Sequence, residues 1–120
     1  MAKILIVDDS RTSRKILHEI VEKAGYEVVG EAENGAEGVE LYEELNPDIV
    51  TLDITMPILD GIDTLKQIRE MNPDAKVIMV SAAGQKSKMV DAVKYGAVDF
   101  IAKPFNEEQL LEIIAKTAKL

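Results

Sequence analysis

The chain has no cysteine. Disulfides, thiolate zinc sites and cysteine nucleophiles are therefore excluded. It has no long hydrophobic run either: nothing approaches the roughly 20 apolar residues that span a bilayer. The opening, Met-Ala-Lys, then Ile4-Leu5-Ile6-Val7 and two acids, has too short an apolar stretch for a signal peptide. Positive charge is in deficit, with 14 Lys and Arg against 22 Asp and Glu and a net charge of −8. That sign argues against non-specific nucleic-acid binding and against docking on anionic membranes. Low-complexity segments, charge blocks and Pro/Gly/Ser linkers are also missing. The expectation is a soluble cytoplasmic protein with no direct nucleic-acid or membrane partner.

What is present is an ordinary globular composition, 47% hydrophobic and 30% charged. The 120 residues suit one domain, residues 1–120, large enough for a real core. Two kinds of apolar segment alternate. Short, continuous, β-branched runs are Ile4–Val7, Val28–Val29, Ile49–Ile54, Val77–Val80 and Phe100–Ala102. Between them, apolar residues recur at helical spacing. The first such stretch is Ile16, Leu17, Ile20, Val21 and Ala24, stopped by Gly25. Next come Val39, Leu41, Tyr42 and Leu45, and then Ile62, Leu65, Ile68 and Met71. The last two are Met89, Val90 and Val93, then Leu110, Leu111, Ile113, Ile114 and Ala118. Asn34-Gly35, Asn46-Pro47, Asp60-Gly61, Asn72-Pro73, Gly96 and Asn106 punctuate the series. Asn106 and Gln109 have the spacing of a capping box.

This is five βα repeats. Strict alternation with short connections implies a parallel sheet covered by helices on both faces, and continuous apolar runs suit doubly buried strands. Five units are too few for an eight-fold barrel. The expected fold class is α/β, a single doubly wound (βα)5 flavodoxin-like domain with a parallel five-stranded sheet of order 2-1-3-4-5.

In such a sheet ligands bind beyond the carboxyl ends of the strands, where strand order reverses. Strand 1 ends in Asp8-Asp9 and strand 3 at Asp53, followed by Ile54-Thr55-Met56-Pro57. Strand 4 ends at Ser81-Ala82-Ala83-Gly84 and strand 5 at Lys103-Pro104. Strand 2 ends in Glu31, on the outer edge. Each residue alone has a bland reading: Asp53 as a turn former, Asp8-Asp9 as a helix cap with a solvated neighbour, Lys103 as a surface charge. Together they differ. Three clustered acids repel unless a cation is bound. Hard oxygen ligands of this kind suit Mg²⁺. Lys103 can pair one acid or a phosphoryl group, and Ser81 can hydrogen-bond another oxygen. The set suits transfer of a phosphoryl group onto a carboxylate.

These residues, with Met56-Pro57 and Asp60-Gly61, carry a family resemblance over residues 3–118. The chain resembles the receiver domain of two-component response regulators, most of all the CheY-like single-domain chemotaxis type. The stretches DIVTLDITMP (48–57), SAAGQ (81–85) and GAVDFIAKPF (96–105) are similar to that type. The resemblance implies that Asp53 is the phosphoacceptor. It implies that Asp8 and Asp9 hold Mg²⁺ together with Asp53 and the backbone carbonyl of Thr55. Ser81 and Lys103 would contact phosphoryl oxygens, and the Lys103–Pro104 peptide would be cis. Phe100 would be the switch aromatic, and the face of helix 4, strand 5 and helix 5 the output surface. The implied partners are a sensor histidine kinase and a phosphorylation-dependent output partner, such as a flagellar motor switch or a phosphatase, met by a monomer.

The chain departs from the closest chemotaxis pattern in places. Phe100 stands where many members have Tyr, and Ser10-Arg11-Thr12-Ser13-Arg14 is unusually polar. Ala83 and Thr55 occupy the two positions that influence phosphoryl loss in the family. Lys86, Lys88 and Lys94 form a local basic patch on helix 4, read either as an output surface or as a solvated face. His18, the single histidine, lies opposite the apolar face of helix 1 and is expected to be exposed, with no relay role. Two other functions compete. A haloacid-dehalogenase-like phosphatase would need an acid two residues after Asp53, where Thr55 stands. A flavin- or nucleotide-binding module would need donors in the first loop, where Asp8-Asp9 repel phosphate. Within the receiver reading, the absence of a linker after helix 5 suits a stand-alone protein; the alternative is a domain of a longer regulator.

Overall fold

The five apolar runs become five strands, each longer than its run in at least one direction or trimmed at its end. The computed structural model describes residues 2–82 and 84–120, and Lys86 by its backbone alone. The strands are β1 (Lys3–Val7), β2 (Glu27–Ala32), β3 (Ile49–Asp53), β4 (Val77–Ser81) and β5 (Asp99–Ala102). They alternate with α1 (Arg11–Lys23), α2 (Gly35–Leu45), α3 (Gly61–Met71), α4 (Lys86–Lys94) and α5 (Glu107–Ala118). All neighbouring strands are parallel and the order is β2-β1-β3-β4-β5, as expected. Among the described residues, no helix is long and apolar enough to cross a membrane.

β1, β3 and β4 are buried on both faces, which is why they read as unbroken hydrophobic runs. Ile4, Ile6, Ile49, Ile78 and Ile101 pack against Leu17 and Val21 of α1 and Leu110 and Ile114 of α5. On the other face Leu5, Val7, Val50, Leu52, Val77 and Met79 pack against Tyr42 of α2, Leu65 and Ile68 of α3 and Ala92 of α4. β2 is an edge strand, half-buried, and its register slips between Ile4 and Leu5. An edge strand needs no continuous apolar run, so its six residues showed only as Val28-Val29.

The helix starts follow capping chemistry. Ser10, Asn34, Asp60 and Asn106 each accept a hydrogen bond from the backbone N–H three residues on. Asn106 thus caps Gln109 as its spacing suggested, at 3.0 Å.

Four helical faces differ from expectation: Met71 at the end of α3 is 41% exposed, on α5 Ala118 is exposed and Thr117 buried, and α1 and α4 differ more. Ile16 is 43% exposed, and its place on the buried stripe of α1 is taken by Arg14. On α4, Val90 and Val93 are exposed and Ala92 is the fully buried residue. Three apolar residues on a nine-residue helix do not fix which side faces the sheet.

Candidate functional site

The strand order delivers the charged residues to one place. β1 and β3 are neighbours, with Val7 opposite Leu52, so Asp8 and Asp53 emerge side by side at the switch point of the sheet. Asp8 and Asp53 are buried and Asp9 is exposed. One carboxylate oxygen from each of the three lies within 4.8 Å of the others. Lys103 follows β5 and reaches past β4, donating to Asp8 Oδ2 at 3.0 Å and lying 3.8 Å from Asp53 Oδ1. Its backbone N–H donates to the Ser81 carbonyl at 2.8 Å. Ser81, 4% exposed, closes β4 opposite Ala102. The Lys103–Pro104 peptide is cis, as the resemblance implied.

A single ammonium shared between two carboxylates leaves the cluster underneutralised. The Asp53 carboxyl is pushed up from 3.8 to about 7 in all, with burial the largest cause. Within that rise the Asp8 charge adds to burial, Lys103 opposes it, and Asp9 adds a smaller part. A divalent cation fits this donor set: three hard carboxylate oxygens converge, two from buried residues and one from an exposed residue, with excess negative charge to offset.

Thr55 is exposed, two residues past Asp53, and its hydroxyl accepts a hydrogen bond from Gln85 Nε2. Phe100 is half-buried on β5, level with Met79, and packs on the core beneath α3 and α4. Lys88 and Lys94 are exposed on α4. Ala83 and the Lys86 side chain lie outside the described residues.

Sequence reasoning missed Arg14, which is 8% exposed. Its Nη1 donates to the Asp8 backbone carbonyl at 2.7 Å, and its other nitrogens reach Glu31 at 3.3 Å and Glu33 at 3.5 Å. The signal was available, since Arg14 precedes Leu17 and Val21 by three and seven residues and so shares their face. His18 is likewise not free in solvent. It is half-buried, and its Nδ1 lies 2.8 Å from Glu31 Oε2. Glu31, read as an outlying strand end, therefore joins β2 to α1. The polar run after the acidic pair thus serves the fold: Ser10 caps α1, and Arg14 ties α1 to the Asp8 carbonyl.

The family model described as the response regulator receiver domain matches residues 4–115. The chain is 52% identical to chemotaxis protein CheY of Thermotoga maritima over 117 residues, 98% of each chain. It is 55% identical to that of Listeria monocytogenes over 119 residues, 99% of this chain and 100% of the relative. Among solved structures, a chain of the CheX–CheY–BeF3–Mg complex from Borrelia burgdorferi matches with a TM-score of 0.91 and 40% identity. That match covers 96% of this chain and 87% of the other. The response regulator domain of Thermotoga maritima CheB also gives 0.91, at 38% identity, with 100% and 98% covered. With the sheet order, the acid cluster and these matches in agreement, the chain belongs to the response regulator receiver domain family, the phosphorylation-dependent switches of two-component signalling.

Proposed function

We propose that this chain is a chemotaxis response regulator that takes a phosphoryl group on Asp53 from a sensor histidine kinase. The observation that carries this reading is a buried carboxylate at the end of the central strand, with a lysine 3.8 Å away and two further acids beside it. Asp8, Asp9, Asp53 and the Thr55 backbone carbonyl are the proposed Mg²⁺ ligands. When bound, Mg²⁺ supplies positive charge that keeps Asp53 ionised and offsets charge on the phosphoryl oxygens.

An Asp53 oxygen attacks phosphorus as the donor's P–N bond breaks. The electron pair leaves with the imidazole nitrogen, which takes a proton from water. Lys103, poised on the acid cluster, gives its ammonium to a phosphoryl oxygen, and the Ser81 hydroxyl donates to another. Loss of the group is the reverse in kind: water attacks phosphorus, and Asp53 is restored with release of phosphate. The chemistry is thus confined to the protein's own aspartate. Phe100 and the α4–β5–α5 face, with Lys88 and Lys94, carry the state to an output partner such as a motor switch or a phosphatase. The protein acts as a monomeric receiver spanning residues 1–120, in the cytoplasm. The identity to chemotaxis CheY proteins over nearly the whole chain supports this pathway.

The test is incorporation of labelled phosphate from acetyl phosphate with Mg²⁺ present. Wild type should label and Asp53→Asn should not; equal labelling of the two would reject Asp53 as acceptor.

A further inference from the structure

Four helices open with a side-chain cap from their own N-cap residue. Among the described residues, α4 is the exception. Its N-cap residue, Gln85, makes no cap hydrogen bond. The side chain is committed elsewhere: Oε1 accepts from the Ala82 backbone N–H at 2.7 Å, and Nε2 donates to Thr55 Oγ1 at 2.5 Å. Thr55 and Gln85 are 30 residues apart in sequence. One neutral amide thus joins the loop after β3, two residues past Asp53, to the loop after β4, one residue past Ser81. Gln85 also begins α4, so three parts of the molecule meet in one side chain.

We propose that Gln85 is a positioning residue, a latch that holds these two loops together in the unphosphorylated protein and opposes phosphoryl uptake. The proposal rests on the receiver reading given above. Ala82 directly follows Ser81, whose hydroxyl must turn toward an arriving phosphoryl group. The Ala82 amide is carried with that movement, while the Thr55 end stays with the loop that holds Asp53. A side chain bonded to both resists their relative motion. An interaction made in only one of two states stabilises that state and must be overcome to reach the other. The amide carries no charge, so it leaves the electrostatics of the acid cluster untouched. Committing the side chain also leaves the first turn of α4 without a cap, which makes that turn the element most easily rearranged once the latch opens.

The experiment measures beryllofluoride binding, as a phosphoryl mimic, at saturating Mg²⁺, and Mg²⁺ binding separately. Gln85→Met keeps length and removes both hydrogen bonds. It should bind beryllofluoride roughly 3–5-fold more tightly than wild type, the scale of one or two modest hydrogen bonds. Its Mg²⁺ affinity should be unchanged, a split that a merely structural role would not produce. The Ala82 amide resonance of the unmodified protein should shift in the variant. Thr55→Val should tighten beryllofluoride binding less than Gln85→Met does. The double variant should bind no more tightly than Gln85→Met, because the two residues share one bond. Equal or weaker binding by Gln85→Met, or additive effects in the double variant, would overturn the latch while leaving the receiver reading intact. Wild-type protein that bound no beryllofluoride would overturn the receiver reading and the latch with it.

Discussion

Asp53 gives the metal-free protein a pH dependence of defined sign. Its carboxyl titrates at about 7 in the fold, against 3.8 in an exposed chain, chiefly because it is buried and next because Asp8 is beside it. Between those values the folded protein keeps a proton that the unfolded chain has already released. Its contribution to stability is fully present below about pH 4, falls as the pH rises through the window, and levels off above about pH 8. At about 1.4 kcal/mol for each pH unit between 3.8 and about 7, the full loss is about 4 kcal/mol. The part lying between pH 5 and pH 8 is about 2–3 kcal/mol.

The perturbation is Asp53→Asn, which keeps shape and removes the titration. Urea unfolding of both proteins in chelator, at pH 5 and pH 8, yields a difference in which the other titrating groups largely cancel. Wild type should lose about 2–3 kcal/mol relative to the variant as the pH rises. Mg²⁺ added at pH 8 should stabilise wild type more than the variant, because the variant lacks one of the proposed ligands. Curves that stay parallel, or that diverge with wild type gaining stability at pH 8, would refute the account of burial and repulsion.

Two further outcomes follow from packing. Thr51 is 1% exposed on β3, and its hydroxyl is a buried polar atom with no hydrogen-bond partner among the described residues. Thr51→Val, of nearly the same shape, should stabilise by about 1 kcal/mol, read as a higher urea midpoint; a lower midpoint would show that the hydroxyl is satisfied. A Cβ on Gly61 would lie 2.1 Å from the Asp53 carbonyl oxygen and 2.6 Å from Ile54 Cα. Gly61→Ala should therefore cost roughly 1–3 kcal/mol in urea unfolding and slow acetyl-phosphate labelling, since the backbone beneath Asp53 must move.

The parts of the site that were legible in the sequence are those fixed by position along a strand. Asp8, Asp53, Ser81 and Lys103 each stand at or just past the end of an apolar run, and parallel strands put all those ends on one edge. General rules of sheet order did the rest. What was illegible depends on contacts between distant segments or on rotation about a short helix. Gln85 and Thr55 meet across 30 residues, and nothing in either segment announces the other. Val90 and Val93 keep helical spacing yet point to solvent, because the small Ala92 is what lets α4 approach the sheet. Arg14 is hard to place from sequence because a charge is seldom buried without partners; its partners are a backbone carbonyl, Glu31 of β2 and Glu33 just past β2.

Those partners explain why Asp8 and Asp9, adjacent in sequence, are unlike as proposed ligands. Every polar arm of Asp8 is held. Its carbonyl accepts from Arg14, its Oδ1 accepts from the Ser10 N–H at 2.8 Å, and its Oδ2 accepts from Lys103 at 3.0 Å. Its side chain is therefore fixed before any cation arrives, and the buried Arg14 guanidinium behind it makes that fixation strong, since a charged donor is bonded to a carbonyl away from water. Asp9 is exposed. A small, strongly hydrated cation that keeps several waters needs one or two fixed carboxylates and room for solvent, not a closed cage. In the proposed Mg²⁺ site, Asp8 and Asp53 are the fixed acids and Asp9 lies on the solvent side. Ser10, through its backbone N–H, and Arg14, through its guanidinium, thus anchor the rigid half of the proposed site.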